Sequence, residues 1–386
     1  MNFTNLASKL ILVLVLTAGI CLFTIGCTDD DNGTGPDHEH EQLFILNELS
    51  NTLFIYEVPG FHGPDTIPMP TSFPHHLHFN PMGGEYYVVA RNSGGEGRAY
   101  SLDMETHEVL DSSGFEGLLT GVTTNSDGSD LYISDFGTAA NQRTLMRRLD
   151  PATFAVELEI QCGSQPHFIE VTGDNETVVV VNAGSDEVTL YYPNGDPQDN
   201  VFNVSIHPDP NDRPQIGQPK YAPYGLAITD DDSLAYLSCR KHDDSTRMAI
   251  LVFDLIQRQT VDTILLEWHN RQTNFKAFRG GLAILLENDR YLAVTSQHGN
   301  SLYLIDLEDN SYDEAVFENN WTFGVTATSD EHYLYVTASN GDTFNKGWVY
   351  EVRRDGGALT VTDSVEADML PNGCHVMHAE GHGHGR

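Results

Sequence analysis

Positive charge is scarce in this chain. Its 386 residues carry 20 lysines and arginines against 56 aspartates and glutamates, a formal net charge of -36. That balance repels nucleic acid and anionic lipid, so neither a duplex nor a bare membrane surface is an expected partner. Cysteine is also sparse. Of the five, Cys21 and Cys27 belong to the N-terminal segment, which leaves Cys162, Cys239 and Cys374 in separate apolar stretches. Three cannot pair completely, so small buried residues with room for one disulfide are expected instead of a disulfide framework. No Cys-x-x-Cys-His sequence occurs, which argues against covalently attached haem. From residue 43 onward there is no long stretch of helical periodicity, so helices do not carry the fold.

The one long apolar run lies at the start. Lys9 is followed by an almost wholly apolar stretch from Leu10 to Gly26, then Cys27. The run is short for a membrane span and ends in small residues, as an export signal requires. Thr24-Ile25-Gly26-Cys27 resembles the bacterial lipobox, which implies that Cys27 becomes the lipidated first residue; an uncleaved anchor or plain secretion is the alternative. Residues 28–42 are acidic and nearly free of apolar side chains, and so form a tether. The expected order is a signal peptide over 1–26, lipidated Cys27 and tether over 27–42, one folded domain over 43–377 and a His/Gly-rich tail over 378–386. The expected location is the cell envelope, with the lipid anchor holding the domain on the periplasmic or extracellular side.

Within the folded domain, short β-rich runs alternate with Gly, Asp and Asn turns, and the alternation has a period. Segments of the form Pro-x-Gly-apolar-x-apolar, with substitutions, begin at Pro74, Leu119, Pro166, Pro223, Arg279, Thr322 and Pro371. Their spacing of 43 to 57 residues is the length of a four-stranded propeller blade. Each copy continues through a turn such as Ser126-Asp127-Gly128 into a second strand, for example Tyr132-Ile133-Ser134-Asp135 or Tyr335-Val336-Thr337-Ala338. These copies resemble the YVTN β-propeller repeat family over about residues 43–377. The resemblance implies an all-β, seven-bladed β-propeller. It does not imply one chemistry, because that family and its relatives include binding proteins, lactonases and redox-enzyme domains. Residues 43–58 read as second and third strands without a first, and 371–377 as a first strand without the rest. The two ends are therefore expected to share one blade and close the ring.

If first strands run from face one to face two, the second-to-third loops and the blade connections open on face one. Face two then carries the acidic turns, with Asp127, Asp174, Asp230 and Asp289, where such residues suit tight bends. Face one gathers 12 of the 19 basic residues beyond Lys9, Arg91, Arg240 and Arg279 among them. That partition fits an anionic ligand, or else a balance with face-one acids. The residue before each repeat's glycine stands near the channel entrance, and around the ring these are His75, Thr120, His167, Tyr224, Gly280, Phe323 and Asn372. His75, His167, Tyr224 and Asn372, with Arg240 and Arg279 beside them, form the expected ligand site; a channel holding only solvent is the alternative.

Histidine is concentrated in Pro74-His75-His76-Leu77-His78 and in Cys374-His375-Val376-Met377-His378, first strands of neighbouring blades. Strand alternation puts His76 with His78, and His375 with Met377, on common faces. Imidazole with thioether suits copper and imidazole alone suits zinc, so His76, His78, His375 and Met377 are the candidate metal ligands. His38 and His40 in the tether, and His382 and His384 in the tail, read as solvated segments with adventitious metal affinity.

Three functions fit these features. Binding of an envelope protein or of a small ligand, anionic or neutral, on face one needs nothing further and ranks first. A lactonase-like hydrolase would use His75 or His167 as base, Arg240 or Arg279 as electrophile, and Glu170 inside the channel, although no catalytic motif singles it out. A copper- or zinc-binding redox accessory protein would use the histidine cluster.

Overall fold

The second strand of each copy is apolar along its whole length because it is covered on both sides. Val178–Asn182 is buried at every residue, whereas the fourth strand of the first repeat, Val109–Glu116, buries little more than Phe115. A sheet standing edge-on between two others, with its last strand at a solvated rim, produces this gradient. The structure, a computed structural model, describes residues 41–377 except 93–94, 138–143, 197, 210–218, 243–245, 268–278, 298, 319 and 341–344, and except the side chains of Arg279 and Gly280. Cys27, the tether through residue 40 and the C-terminal tail lie outside the described residues, while Glu41 and Gln42, expected in the tether, open the strand Glu41–Asn47 because they pair with the strand Thr52–Val58.

The described residues form 28 strands in seven four-stranded antiparallel sheets. The innermost strands of blades 1 to 7 are Pro74–Phe79, Leu119–Thr124, Pro166–Val171, Tyr221–Ile228, Arg279–Leu286, Trp321–Ala327 and Pro371–Met377. Blade 7 is completed by Glu41–Asn47, Thr52–Val58 and His62–Pro68, so the ring closes between the two ends of the domain. In that closure Phe44 pairs with His375 and Ile45 with Cys374. Phe44 also meets Phe79 and Tyr86 of blade 1 edge-to-face, at 5.0 and 5.5 Å between ring centroids. It lies in the apolar layer with Leu53, Leu77 and Val88 that joins the last blade to the first. The three cysteines of the domain are free and buried.

The acidic turns of face two join blades as well as bending the chain. Asn175 accepts a hydrogen bond from the Ser126 amide at 2.8 Å, and Asp232 from the Gly173 and Asp174 amides at 2.7 and 2.9 Å. Asp289 does the same for the Asp230 amide and Glu331 for the Glu287 amide, both at 2.7 Å. Glu41 extends the series to the Ser329 amide at 3.1 Å. Asn175, Asp232, Asp289 and Glu331 all have left-handed backbone, with φ between 56 and 67° across this group. The strain is small for Asn and Asp, and it directs each side chain to the turn of the preceding blade.

Candidate functional site at the channel mouth

The inner strands carry a register shift at their face-one ends, for example between Pro74 and His76, Leu119 and Gly121, and Pro223 and Gly225. The extra residue, His75, Thr120 or Tyr224, is thereby set at the channel mouth, the usual effect of a bulge. In blades 2, 4 and 6 a glycine follows, and there it is a steric requirement. A Cβ on Gly121, Gly225 or Gly324 would lie 2.8, 2.2 or 2.8 Å from the carbonyl oxygen of His167, Gly281 or Asn372 in the next blade. The same three carbonyls accept the hydroxyls of Ser134, Ser238 and Thr337 at 2.9, 2.5 and 3.1 Å. In blade 5 the carbonyl in this role belongs to Gly281, one residue beyond the Gly280 that the repeat spacing indicates.

Four of the expected ligand residues come together at the mouth, with two others whose part the sequence does not announce. Glu48 follows the closing strand Glu41–Asn47, and Arg91 ends the blade 1 strand Glu85–Arg91. Arg91 forms an ion pair with Glu48. Its Nη2 also lies 2.9 Å from His75 Nδ1, and the Asn372 amide nitrogen lies 2.7 Å from that nitrogen and 3.0 Å from Glu48 Oε2. Glu48, an obligate acceptor, orients the Asn372 amide nitrogen inward. His75 Nδ1 therefore faces two N–H donors at 2.9 and 2.7 Å and, farther off, the Glu48 carboxylate at 3.4 Å; the two shorter contacts make it an acceptor and leave the ring proton on Nε2. Burial, reinforced by Arg91, pushes the His75 pKa down, so the ring is neutral. Burial opposes ionisation of Glu48, but His75 and Arg91 outweigh it and hold the carboxyl at about 2.

His167 has the opposite tautomer. Its Nδ1 is 3.1 Å from the Tyr224 carbonyl oxygen, which can only accept, so Nδ1 carries the proton and Nε2 the lone pair. Its ring lies 4.3 Å from that of Tyr224, 5.7 Å from that of His75 and 6.3 Å from that of Phe136. Arg240 stands at the end of the blade 4 strand Leu234–Lys241, opposite Ala222. Arg279 begins the inner strand of blade 5, and its side chain lies outside the described residues. Glu170 lines a deeper cavity instead of the mouth. Among the described face-one bases, Arg247 is balanced by Glu267 and Lys346 by Glu366.

Below the mouth the channel is crossed by two rings. The position of the repeat glycine is held by His76 in blade 1 and Phe168 in blade 3, and their rings meet at 5.0 Å across blade 2. His76 also meets His375 at 5.2 Å. Both histidines line a cavity of about 510 Å³ that reaches the face-two turns. His78 lines the same cavity, its Nε2 held by Thr124 at 3.0 Å, whereas Met377 packs into the apolar layer around Phe44 and Phe79, so three of the four expected metal ligands share the cavity and Met377 stands apart. Among the described residues no three His, Cys, Asp or Glu side chains converge in metal-binding geometry.

Seven four-stranded sheets closed into a ring define a seven-bladed β-propeller. The chain belongs to the lactonase, 7-bladed beta-propeller family, whose family model matches residues 70–369. The periplasmic gluconolactonase PpgL of Pseudomonas aeruginosa is similar in structure, with TM-score 0.70 and 17% identity over 88% of this chain and 99% of that one. A hypothetical selenium-binding protein from Sulfolobus tokodaii has TM-score 0.70 and 11% identity over 89% and 94%. Hydrazine synthase of Kuenenia stuttgartiensis has TM-score 0.63 and 12% identity over 84% and 97%. At these identities the likeness is one of fold. No curated protein sequence matches the chain.

Proposed function

We propose that this protein is a lipid-anchored envelope hydrolase that opens a small lactone at the face-one mouth of its channel. The observation that carries the reading is the pair of complementary tautomers, His75 with its proton on Nε2 and His167 with its lone pair there, in rings 5.7 Å apart. His167 takes a proton from water as the water oxygen adds to the lactone carbonyl carbon. His75 Nε2–H hydrogen-bonds the carbonyl oxygen as negative charge develops on it. The ring C–O bond then breaks, the proton held by His167 passes to the leaving alkoxide oxygen, and a hydroxy acid is released. Arg91, Glu48 and Asn372 act through His75 Nδ1 and are positioning residues.

Membership of the lactonase family supports this substrate class, and the shared fold of a gluconolactonase makes glucono-δ-lactone a reasonable first probe in a panel of γ- and δ-lactones. Turnover by the intact protein should fall by about 10²- to 10⁴-fold in His167→Gln, the usual worth of a general base. Equal rates in the two proteins across the panel would defeat the hydrolase reading. Saturable binding without turnover would return the protein to the binding class. Acylation of Cys27 fixes the domain to the envelope in this reading, and Cys27→Ser should release the protein from the membrane fraction.

A further inference from the structure

We propose that His76 and His375 bind one divalent transition-metal ion in the channel cavity, below the mouth and separate from the hydrolytic site. The first support is an unmet demand for partners. His76 is 6% exposed, yet both of its ring nitrogens lack a hydrogen-bond partner, as does Nε2 of His375. Leaving three buried polar atoms unsatisfied costs about 1–3 kcal/mol for each group, and the repeat offers a glycine at the His76 position that would avoid most of it.

Geometry supplies the second support. The two rings stand 5.2 Å apart at an interplanar angle of 77°. Two imidazoles sharing a tetrahedral ion through bonds of about 2 Å have ring centres roughly 5 Å apart.

The approach to the cavity selects the sign of the ligand. Its face-two rim includes Asp230, Asp289 and Glu331, and Glu170 lies on its wall, so a cation is drawn in and an anion is not. Nitrogen donors at the bottom favour zinc or copper over calcium or magnesium. The pair His76 and His375 replaces the four-residue set expected from sequence. Met377 is committed to the apolar layer and His78 to Thr124. Two protein ligands leave positions for water, and the cavity has room for it.

The test is equilibrium dialysis with zinc alone, on the exported chain carrying alanine at His38, His40, His378, His382 and His384, so that tether and tail hold no ion. About one zinc per chain should be retained. His76→Gly, which restores the residue the repeat uses in blades 2, 4 and 6, and His375→Ala should each weaken binding at least tenfold, with His78→Ala unchanged. No retained zinc in the background protein, or undiminished zinc in folded His76→Gly, would overturn the proposal. Neither outcome bears on lactone turnover at the mouth.

Discussion

His75 and His167 stand two blades apart on the ring, yet their imidazoles meet edge-to-face at 5.7 Å with opposite nitrogens protonated. Each tautomer is set from behind, one by two N–H donors and the other by a carbonyl. The assignment can be observed directly. Long-range ¹H–¹⁵N spectra at neutral pH should show His75 as the Nε2–H form and His167 as the Nδ1–H form. Protonation of His75 at Nδ1 would remove the basis of the proposed chemistry, and Asn372→Ala should loosen that preference without unfolding the protein.

Acid sensitivity follows from Glu48. Its carboxyl is near 4.5 in an unfolded chain and about 2 in the fold, so the native state binds fewer protons between those values. The stability it contributes is present above about pH 4.5 and is lost as pH falls toward about 2. Glu48→Gln should be less stable at neutral pH by about 1–3 kcal/mol, because Arg91 loses its partner. The variant's deficit should shrink as pH is lowered through that window. A constant difference between the two proteins from pH 6 to pH 2 would contradict this account.

The face-two turns predict a graded response at Asp232. Its carboxylate serves two amides of the preceding blade while its own backbone is left-handed at φ 57°. Asp232→Ala loses both hydrogen bonds and keeps the strain, for about 2–4 kcal/mol in thermal or denaturant unfolding. Asp232→Gly should cost less than the alanine variant, because glycine accepts that backbone freely. The reverse order would show that the turn geometry is not what this position supplies.

Ring closure depends on Phe44, which packs against the first blade while pairing with the last strand. Phe44→Ala should destabilise the domain by about 3–5 kcal/mol. Limited proteolysis should then cut near the closing blade first. Cleavage distributed evenly around the ring would argue against a weak seam there.

The fold was legible because a four-stranded unit must repeat its turns and apolar strands at blade spacing, and the incomplete first and last copies can only complete each other. The mouth was legible to the extent that it lies in one repeat column, which holds His75, His167, Tyr224 and Asn372. Glu48 was not, since an acid just past Asn47 resembles any strand-end residue until the ring closes and sets it against Arg91. Met377 misled for a related reason. Alternation places it on the face of His375, but two residues along an inner strand lead from the channel cavity into the apolar layer with Phe44. A usable signal was missed at His76, where a bulky ring stands in a column otherwise rich in glycine.

Placing Pro371–Met377 innermost in a blade whose other strands begin at Glu41 also sets the order of assembly. A chain emerging amino end first must keep Phe44 and Ile45 without their last-strand partners His375 and Cys374 until nearly the whole domain has been synthesised. A product truncated before residue 371 retains an open seam. The molecule thus checks its own synthesis through the last blade, since only a chain that reaches Met377 can hide that edge.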